Sequence, residues 1–355
     1  IAVTGCWATL DPAAAAALPG VQWTVPNPRK DELVREILPL LQDEIDLEPL
    51  ARQPLPGIHL RTRAFIKVQD GCDNFCTFCV TRLARGKGRS VPVEEVLRDI
   101  HSAQAGGTRE IVLTGVHLGS WGQDLSSALH LRDLIETILA KTSLARIRLS
   151  SLEPWDLPDG FFSLWQDERM CPHLHLPLQS GCATTLRRMA RKTTPESFAT
   201  LVEAARQAVP EIAITTDLIV GFPGESDAEF MESLAFVKRM NFSAGHVFSF
   251  SPRPGTPAAR YSQQVPPMER KKRSAILRAV LAESGASYRK SFIGQTLGVL
   301  WEASQQNYTG GWQMEGLTAN YLRVSAQAER NLWNEISQVR LDEVSGEGLR
   351  GQILG

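Results

Sequence analysis

The sequence lacks several features that would place it in a broad class of proteins. No apolar run approaches the roughly 20 residues that a membrane-spanning helix needs, and no secretory leader is recognisable. Only six cysteines occur in 355 residues, and three of them share one loop, so a disulfide framework is not indicated. The formal charge of −1 neither favours nor excludes nucleic acid, because binding requires only a local basic surface.

The composition is that of a globular protein. Hydrophobic residues make up 43% of the chain and charged residues 22%, and the length allows two or three domains. The chain begins with Ile1 inside a strand-like run, from which we expect it to be N-terminally truncated.

The clearest chemical signal is a polar loop with the spacing C-x3-C-x2-C. Cys72, Cys76 and Cys79 lie within eight residues, so their thiolates can converge on one metal centre. A closed zinc or iron–sulfur site prefers four ligands. A four-iron cluster held by three cysteines therefore leaves one iron open to a ligand that is not protein. A structural zinc site and three ordinary thiols are the alternatives to this interpretation.

Strands and helices alternate from Ala64 onward. Six repeats with apolar, β-branched strands predict an α/β fold in which a parallel sheet curls into a full or partial (βα)6 barrel. Functional groups in such barrels come from the C-terminal ends of the strands, which is where the cysteine loop lies. The predicted strands are Ala64–Val68, Glu110–Thr114, Arg146–Ser150, His173–Pro177, Ile212–Val220 and His246–Phe250. The predicted helices between them are Val93–Ala105, His130–Ala140, Pro195–Ala208 and Asp227–Met240.

Composition and pattern divide the chain into four segments. Residues 1–45 are predicted to form the end of an α/β unit. Residues 46–61 are rich in proline and polar residues, which predicts a linker. Residues 62–290 hold the predicted barrel and a long basic helix that begins at Glu269. In residues 291–355 short apolar runs alternate with glycine-containing turns, which predicts a small antiparallel β-barrel.

The cysteine loop resembles that of the radical S-adenosylmethionine (radical SAM) enzymes, and other segments resemble the methylthiotransferases among them. These segments are LTGVHLGSWG (113–122), SSLEP (150–154), HLHLPLQSG (173–181), TTDLIVGFPGE (215–225) and FSPRPGTPA (250–258). They are most similar to the type that acts on N6-threonylcarbamoyladenosine in tRNA. The sister types, which act on N6-isopentenyladenosine in tRNA or on a ribosomal-protein aspartate, are the first alternative. A noncatalytic, metal-containing RNA-binding protein is the second.

The resemblance implies two [4Fe-4S] clusters in the full-length protein and S-adenosylmethionine (AdoMet). Cys72, Cys76 and Cys79 would hold the cluster that generates the radical. Cys6, in AVTGCWA, resembles the third of three cysteines that hold an auxiliary cluster. The other two would lie upstream of Ile1, so we expect only one complete cluster site in this chain. Because such clusters are sensitive to oxygen, we expect a reducing, cytoplasmic location.

The implied reaction converts C–H to C–S–CH3 at the adenine C2 next to the anticodon. One AdoMet donates a methyl group to sulfur on the auxiliary cluster, and a second is cleaved to a 5′-deoxyadenosyl radical. A radical is needed because an aryl C–H bond offers neither an acidic proton nor a leaving group. The implied partners are the tRNA anticodon stem-loop and a reducing protein, with no membrane and no DNA.

The same resemblance assigns residues to AdoMet and to RNA. AdoMet contacts are expected from Phe78, Thr114, Gly115, Ser151, Glu153, Gln179, Arg191, Asp217 and Ile219. Many family members have Gly-Gly-Glu after the second strand, but Val116 holds the third position here, so Thr114 and Gly115 are assigned backbone contacts only. The terminal β-barrel resembles the TRAM domain, an RNA-binding module. RNA contacts are expected from Arg270, Lys271, Lys272, Arg273, Trp312 and Tyr321, because cations track phosphates and exposed aromatics stack on unpaired bases.

Overall fold

The computed structural model describes residues 1–33, 62–125, 129–307 and 310–354. The predicted linker at 46–61 lies outside these residues. The strands are β1 (Ala2–Gly5), β2 (Trp23–Pro26), β3 (Arg63–Lys67), β4 (Gln69–Asp70), β5 (Arg89–Ser90), β6 (Glu110–Thr114), β7 (Arg146–Leu149), β8 (His173–His175), β9 (Ala213–Val220), β10 (Ala244–Ser249), β11 (Thr296–Gln306), β12 (Trp312–Thr318), β13 (Arg323–Ala328), β14 (Ile336–Ser345) and β15 (Gly348–Ile353). The α-helices are α1 (Cys6–Leu10), α2 (Pro12–Ala16), α3 (Thr81–Arg85), α4 (Val93–Ala105), α5 (Leu131–Lys141), α6 (Ala183–Arg188), α7 (Pro195–Ala208), α8 (Asp227–Met240) and α9 (Pro267–Lys290).

Six parallel strands form the predicted partial barrel. Strands β3, β6 and β7 make one parallel sheet, and β8, β9 and β10 make another. Two isolated parallel bridges connect these sheets. Ile147 of β7 pairs with Met170, which precedes β8, and Ser151, just after β7, pairs with His175 of β8. The outward side chains of the strands and the apolar sides of helices α4, α5, α7 and α8 form one large buried core. The predicted fold class is confirmed.

The helices of the barrel lie close to where the sequence predicts them. Helices α4, α7 and α8 begin and end at the predicted residues, and α5 is shifted by one residue. Local signals explain this agreement: Thr194 and Ser226 each cap the next helix by accepting a hydrogen bond from the backbone three residues on. Strand β8 is shorter than predicted. It ends at His175 because Pro177 has no N–H to continue the ladder.

The terminal segment is a closed five-stranded barrel in the order β11, β12, β13, β15, β14. It has its own core, in which Trp301 is fully buried and its indole N–H donates to the Ser337 hydroxyl at 3.1 Å. A small β-barrel is therefore confirmed for this part of the chain, and its strand pairs are antiparallel except for β13 and β15, which pair in parallel. At the other end of the chain, β1 and β2 form a parallel pair, and α1 begins directly after β1.

A buried charged cluster connects the two barrels. The Glu110 carboxylate, fully buried at the start of β6, accepts from the Arg148 guanidinium at 2.7 and 3.2 Å and lies 3.7 Å from Arg146. Both arginines also donate to backbone carbonyls of the terminal barrel: Arg146 to Leu317 and Gly298, and Arg148 to Ala319, at 2.7–3.0 Å. These contacts fix the terminal barrel against the N-terminal ends of the strands.

Tyr321 belongs to the same junction. Its ring stacks on His173 with the centroids 4.6 Å apart, and the Arg148 guanidinium lies 4.8 Å from the ring centroid. Tyr321 is nevertheless 44% exposed, so its stacking on RNA stays a prediction. None of the described helices is long and apolar enough to span a membrane.

Candidate functional site

The cysteine loop follows β3 and β4 at the C-terminal end of the barrel. All three thiols are free, and each is at least partly exposed. The loop directs backbone N–H groups at two of the sulfurs: Asn74 donates to Cys72 Sγ and Thr81 to Cys79 Sγ, both at 3.4 Å. Burial raises the pKa of the Cys76 thiol, and the nearby Arg191 guanidinium opposes that rise. Such donors favour the thiolate, which is the form that binds metal.

The side chains around the cysteine loop fit a cluster and AdoMet by their chemistry. In residues 1–33, 62–125, 129–307 and 310–354, no three Cys, His, Asp or Glu side chains already surround a common point. The donor chemistry nevertheless fits, because three free thiols share one loop. Several buried polar atoms at this end of the barrel also have no hydrogen-bond partner among the described residues, which suits a polar ligand. These atoms are Ser150 Oγ, Trp155 Nε1, Arg191 Nε and Asp217 Oδ1.

Gly71 sets the path of the chain into the cysteine loop. Its φ is +74°, and a Cβ there would lie 1.9 Å from the Lys87 carbonyl oxygen. We expect Gly71→Ala to lower the iron bound per protein after reconstitution several-fold, because the loop must move away from Lys87. The left-handed backbone alone costs an alanine roughly 1–2 kcal/mol.

Gly294 offers a matched control outside the loop, since its φ is +86° and no atom of the described residues lies within 4 Å of its added Cβ. Gly294→Ala should retain most of its iron, as measured by colorimetric iron and sulfide assays on anaerobic samples. Equal iron content in the two variants would contradict the steric explanation.

Two residues assigned to AdoMet bind each other. The Arg191 guanidinium donates to both carboxylate oxygens of Glu153, at 3.0 and 2.6 Å, and to the Pro177 carbonyl at 2.7 Å. It also lies 3.7 Å from Cys76 Sγ and 4.5 Å from the centre of the Trp155 ring. Arg191 therefore connects the cysteine loop to the end of β7, which explains why its side chain is only 2% exposed.

Sequence reasoning missed a buried histidine beside the loop. His117 Nε2 lies 2.5 Å from Asp156 Oδ2, and Asn74 Nδ2 lies 3.3 Å from the same ring nitrogen. Burial alone lowers the pKa of His117, but hydrogen bonds with Asp156 and Cys72 raise it to about 10. His117 lies in the segment GVHLGSWG, but nothing in the local sequence distinguishes this histidine from a structural one.

Asp217 and its neighbours line the inner side of β9. Asp217 Oδ2 lies 3.4 Å from His175 Nε2, and His175 Nδ1 lies 2.9 Å from the Thr215 hydroxyl. Gln179 has a φ of +71° and pairs through its backbone with the 217–219 stretch of β9. Ile219 and Phe78 pack together against a small apolar cluster that contains Phe222 and Phe250.

The other residues assigned to AdoMet lie at the same end of the barrel. The Thr114 hydroxyl donates to the Ile66 carbonyl at 3.1 Å, so this side chain connects β6 to the neighbouring strand β3. Gly115 follows in the turn after β6, and Ser151 is exposed after β7. The structure thus places eight of the nine assigned residues in a barrel strand, just beyond one or in the cysteine loop. The ninth, Arg191, follows α6 and reaches the same end through its contacts with Cys76 and Glu153. Their contacts with AdoMet stay predictions.

Cys6 lies on the same side of the molecule as the cysteine loop. Helix α1, which begins at Cys6, packs against α3, the helix that follows the loop. The Cys6 thiol lies near Arg85 and contributes to the raised pKa of that guanidinium, which donates to Asp70 at 3.0 Å. Tertiary structure therefore brings Cys6 close to a residue that lies two positions before Cys72.

The basic residues at the start of α9 have different environments. Lys271 and Lys272 are exposed, and Arg270 is partly buried and donates to the Phe250 carbonyl. Arg273 is only 4% exposed and is bound by Glu225, Asp227 and Glu269. The expected RNA contact of Arg273 is therefore wrong, because its charge is already satisfied inside the fold. Trp312 is half-buried at the margin of the terminal barrel's core.

Comparisons with known proteins agree with this geometry. A model of the radical SAM superfamily matches residues 66–237. The chain is 38% identical to the threonylcarbamoyladenosine tRNA methylthiotransferase MtaB of Thermotoga maritima, over 98% of this chain and 80% of that protein. It is 35% identical to the protein of the same name from Bacillus subtilis, over 96% of this chain and 78% of that one.

A solved structure supports the fold. The chain aligns with the cobalamin-dependent S-adenosylmethionine radical enzyme OxsB, bound to aqua-cobalamin and S-adenosylmethionine, with a TM-score of 0.52. The alignment covers 79% of this chain and 43% of that one at 13% identity, so the likeness concerns the fold alone.

Proposed function

Because the chain belongs to the radical SAM tRNA methylthiotransferases, we propose that it adds a 2-methylthio group to N6-threonylcarbamoyladenosine next to the anticodon of tRNA. The observation that carries this proposal is the identity of 38% across 98% of the chain to a relative named for that reaction. The family implies a [4Fe-4S] cluster and AdoMet as cofactors. The protein is thus an enzyme, a transferase.

The residues of this chain fit distinct tasks in that reaction. When bound, the cluster and AdoMet supply a 5′-deoxyadenosyl radical, which can act on an aryl C–H bond that lacks an acidic proton. Cys72, Cys76 and Cys79 would hold the cluster. Arg191, which contacts Glu153 and approaches Cys76, would keep the loop in register with the strand ends. Ser150 Oγ and Asp217 Oδ1 are buried and have no hydrogen-bond partner in the part of the chain that the structure describes, so they suit the polar groups of AdoMet.

The second cluster and the RNA contacts belong to the same proposal. Cys6, near Arg85, would be one ligand of an auxiliary cluster that supplies the sulfur. Lys271 and Lys272, both exposed at the start of α9, would contact phosphates of the anticodon stem-loop, and Arg270 and Trp312 would support that contact. A reducing protein would supply the electron.

The test measures tRNA nucleosides by mass spectrometry. The complete gene product, reconstituted anaerobically with iron and sulfide, is incubated with AdoMet, dithionite and tRNA that carries N6-threonylcarbamoyladenosine. We expect this nucleoside to gain one methylthio group. A parallel reaction with tRNA that carries N6-isopentenyladenosine serves as the control. Conversion of only the isopentenyl nucleoside would assign the protein to the sister type instead.

A further inference from the structure

The first and last strands of the partial barrel present exposed side chains to its interior. On β3, Ile66 is 6% exposed and packs in the main core, whereas its neighbours Phe65 and Lys67 point the opposite way and are 55% and 49% exposed. On β10, Val247 is buried, whereas Phe248 is 52% exposed. The inner side of the barrel thus offers an aromatic ring on each wall and a lysine beside one of them.

The position of Lys67 places its charge near the proposed reaction centre. Lys67 is the last residue of β3, five residues before Cys72, and it pairs in register with Thr114 on β6. Residues in register on neighbouring parallel strands point to the same side of the sheet. Lys67 and Thr114 therefore share the inner side of the barrel at its C-terminal end, where the cysteine loop begins.

The charge of Lys67 is not balanced locally. Among the described residues, its ion pair is with Asp70, at 3.7 Å. The same carboxylate also binds Arg85 at 3.0 Å and lies 4.0 Å from Lys30. Among the residues that the structure describes, three cations thus share one carboxylate, so positive charge exceeds negative charge around Asp70. An anionic group that enters the barrel would be attracted there.

We propose that Lys67 binds the carboxylate of the threonylcarbamoyl group, while Phe65 or Phe248 contacts the base. This inference rests on the proposed function and extends it to the recognition of the substrate. The threonylcarbamoyl group carries one negative charge, and the isopentenyl group carries none. A half-exposed lysine on the same side of β3 as Phe65 would therefore distinguish the two nucleosides by charge. Lys67 is accordingly a specificity-determining residue.

The experiment compares two variants and two RNAs. Lys67→Met removes the proposed contact, and Lys30→Met removes another cation from Asp70 without altering the inner surface. Both variants and the wild type are reconstituted as the complete protein. Binding is measured by fluorescence anisotropy with anticodon stem-loops that carry either N6-threonylcarbamoyladenosine or the same nucleoside with its carboxylate converted to an amide. AdoMet cleavage to 5′-deoxyadenosine is measured without RNA.

We expect the wild type to prefer the charged stem-loop roughly 10- to 100-fold, as for a hydrogen bond to a charged group. Lys67→Met should lose that preference and bind both RNAs as the wild type binds the amide. Lys30→Met should keep the preference. AdoMet cleavage without RNA should not change in Lys30→Met, and in Lys67→Met its KM for AdoMet shows whether Lys67 contacts the cofactor.

Other results would overturn the inference in distinguishable ways. An equal loss of affinity for both stem-loops would assign Lys67 to RNA phosphate, and a raised KM for AdoMet would assign it to the cofactor's carboxylate. If Lys67→Met still preferred the charged stem-loop over the amide, Lys67 would not be the residue that binds the carboxylate. A further result would be that the wild type fails to modify N6-threonylcarbamoyladenosine in tRNA and fails to bind the charged stem-loop. That result would contradict the proposed function itself, and this inference with it.

Discussion

Replacement of Cys76 by alanine is expected to abolish the formation of 5′-deoxyadenosine from AdoMet. Cys76 is the central thiol of the loop, and Arg191 approaches its sulfur to 3.7 Å. Without it two thiols remain, and a four-iron cluster held by three cysteines would lose one of its protein ligands. The variant should therefore bind little iron after anaerobic reconstitution, and dithionite should produce no electron paramagnetic resonance signal from a reduced cluster.

Cys182→Ala is the matched control for this prediction. Cys182 is a free thiol that is 1% exposed, and its sulfur contacts Glu232 rather than the loop. We expect this variant to keep its iron, its sulfide and its AdoMet cleavage. If Cys76→Ala retained a full complement of iron and still cleaved AdoMet, the loop would not be the site of the radical-generating cluster.

Glu110→Gln is expected to destabilise the protein by roughly 3–5 kcal/mol, the usual cost of breaking a buried ion pair by removing one partner. Glu110 is fully buried and faces the guanidinium groups of Arg148 and Arg146. The amide keeps nearly the same size but removes the negative charge, so two buried cations remain without their carboxylate. Because both arginines also bind carbonyls of the terminal barrel, we expect that barrel to separate more easily from the core.

Urea unfolding, followed by circular dichroism, measures this loss, and limited proteolysis reports on the junction between the barrels. Glu136→Gln is the control, because Glu136 is 50% exposed and pairs with Arg132 on the surface of α5 at 2.8 Å. Its loss should cost less than about 1 kcal/mol. Similar unfolding curves for the two variants would show that the buried cluster adds little to stability.

Much of the barrel could be predicted from the sequence, because the relevant signals are local. Helices α4, α7 and α8 follow from apolar periodicity and, for the last two, from the capping residues Thr194 and Ser226. Strand β6 agrees with its predicted bounds because its run of apolar residues is short and is bounded by polar ones. The cysteine loop was found from spacing alone, because its three thiols lie within eight residues.

The burial and the ion-pair partners of individual charged side chains could not be predicted from the local sequence pattern. Lys272 and Arg273 are adjacent in sequence, yet the first is 70% exposed and the second 4%. The difference arises because one face of α9 packs against the 225–227 region, which lies more than 40 residues away in sequence. From the sequence, the basic residues of this helix are predicted to form one RNA-binding surface. In the fold, however, Arg273 forms ion pairs with three carboxylates.

The sequence by itself determined the class of fold, the cysteine loop and the family, since each depends on residues that are near one another in the chain. Tertiary structure decided which polar groups meet. Arg148 reaches the terminal barrel across about 170 residues, and His117 meets Asp156 across 39. Tyr321 stacks on His173 rather than facing solvent on both sides. Such contacts depend on how strands and barrels are placed in space, and a buried charge is stable only where that placement supplies its partner.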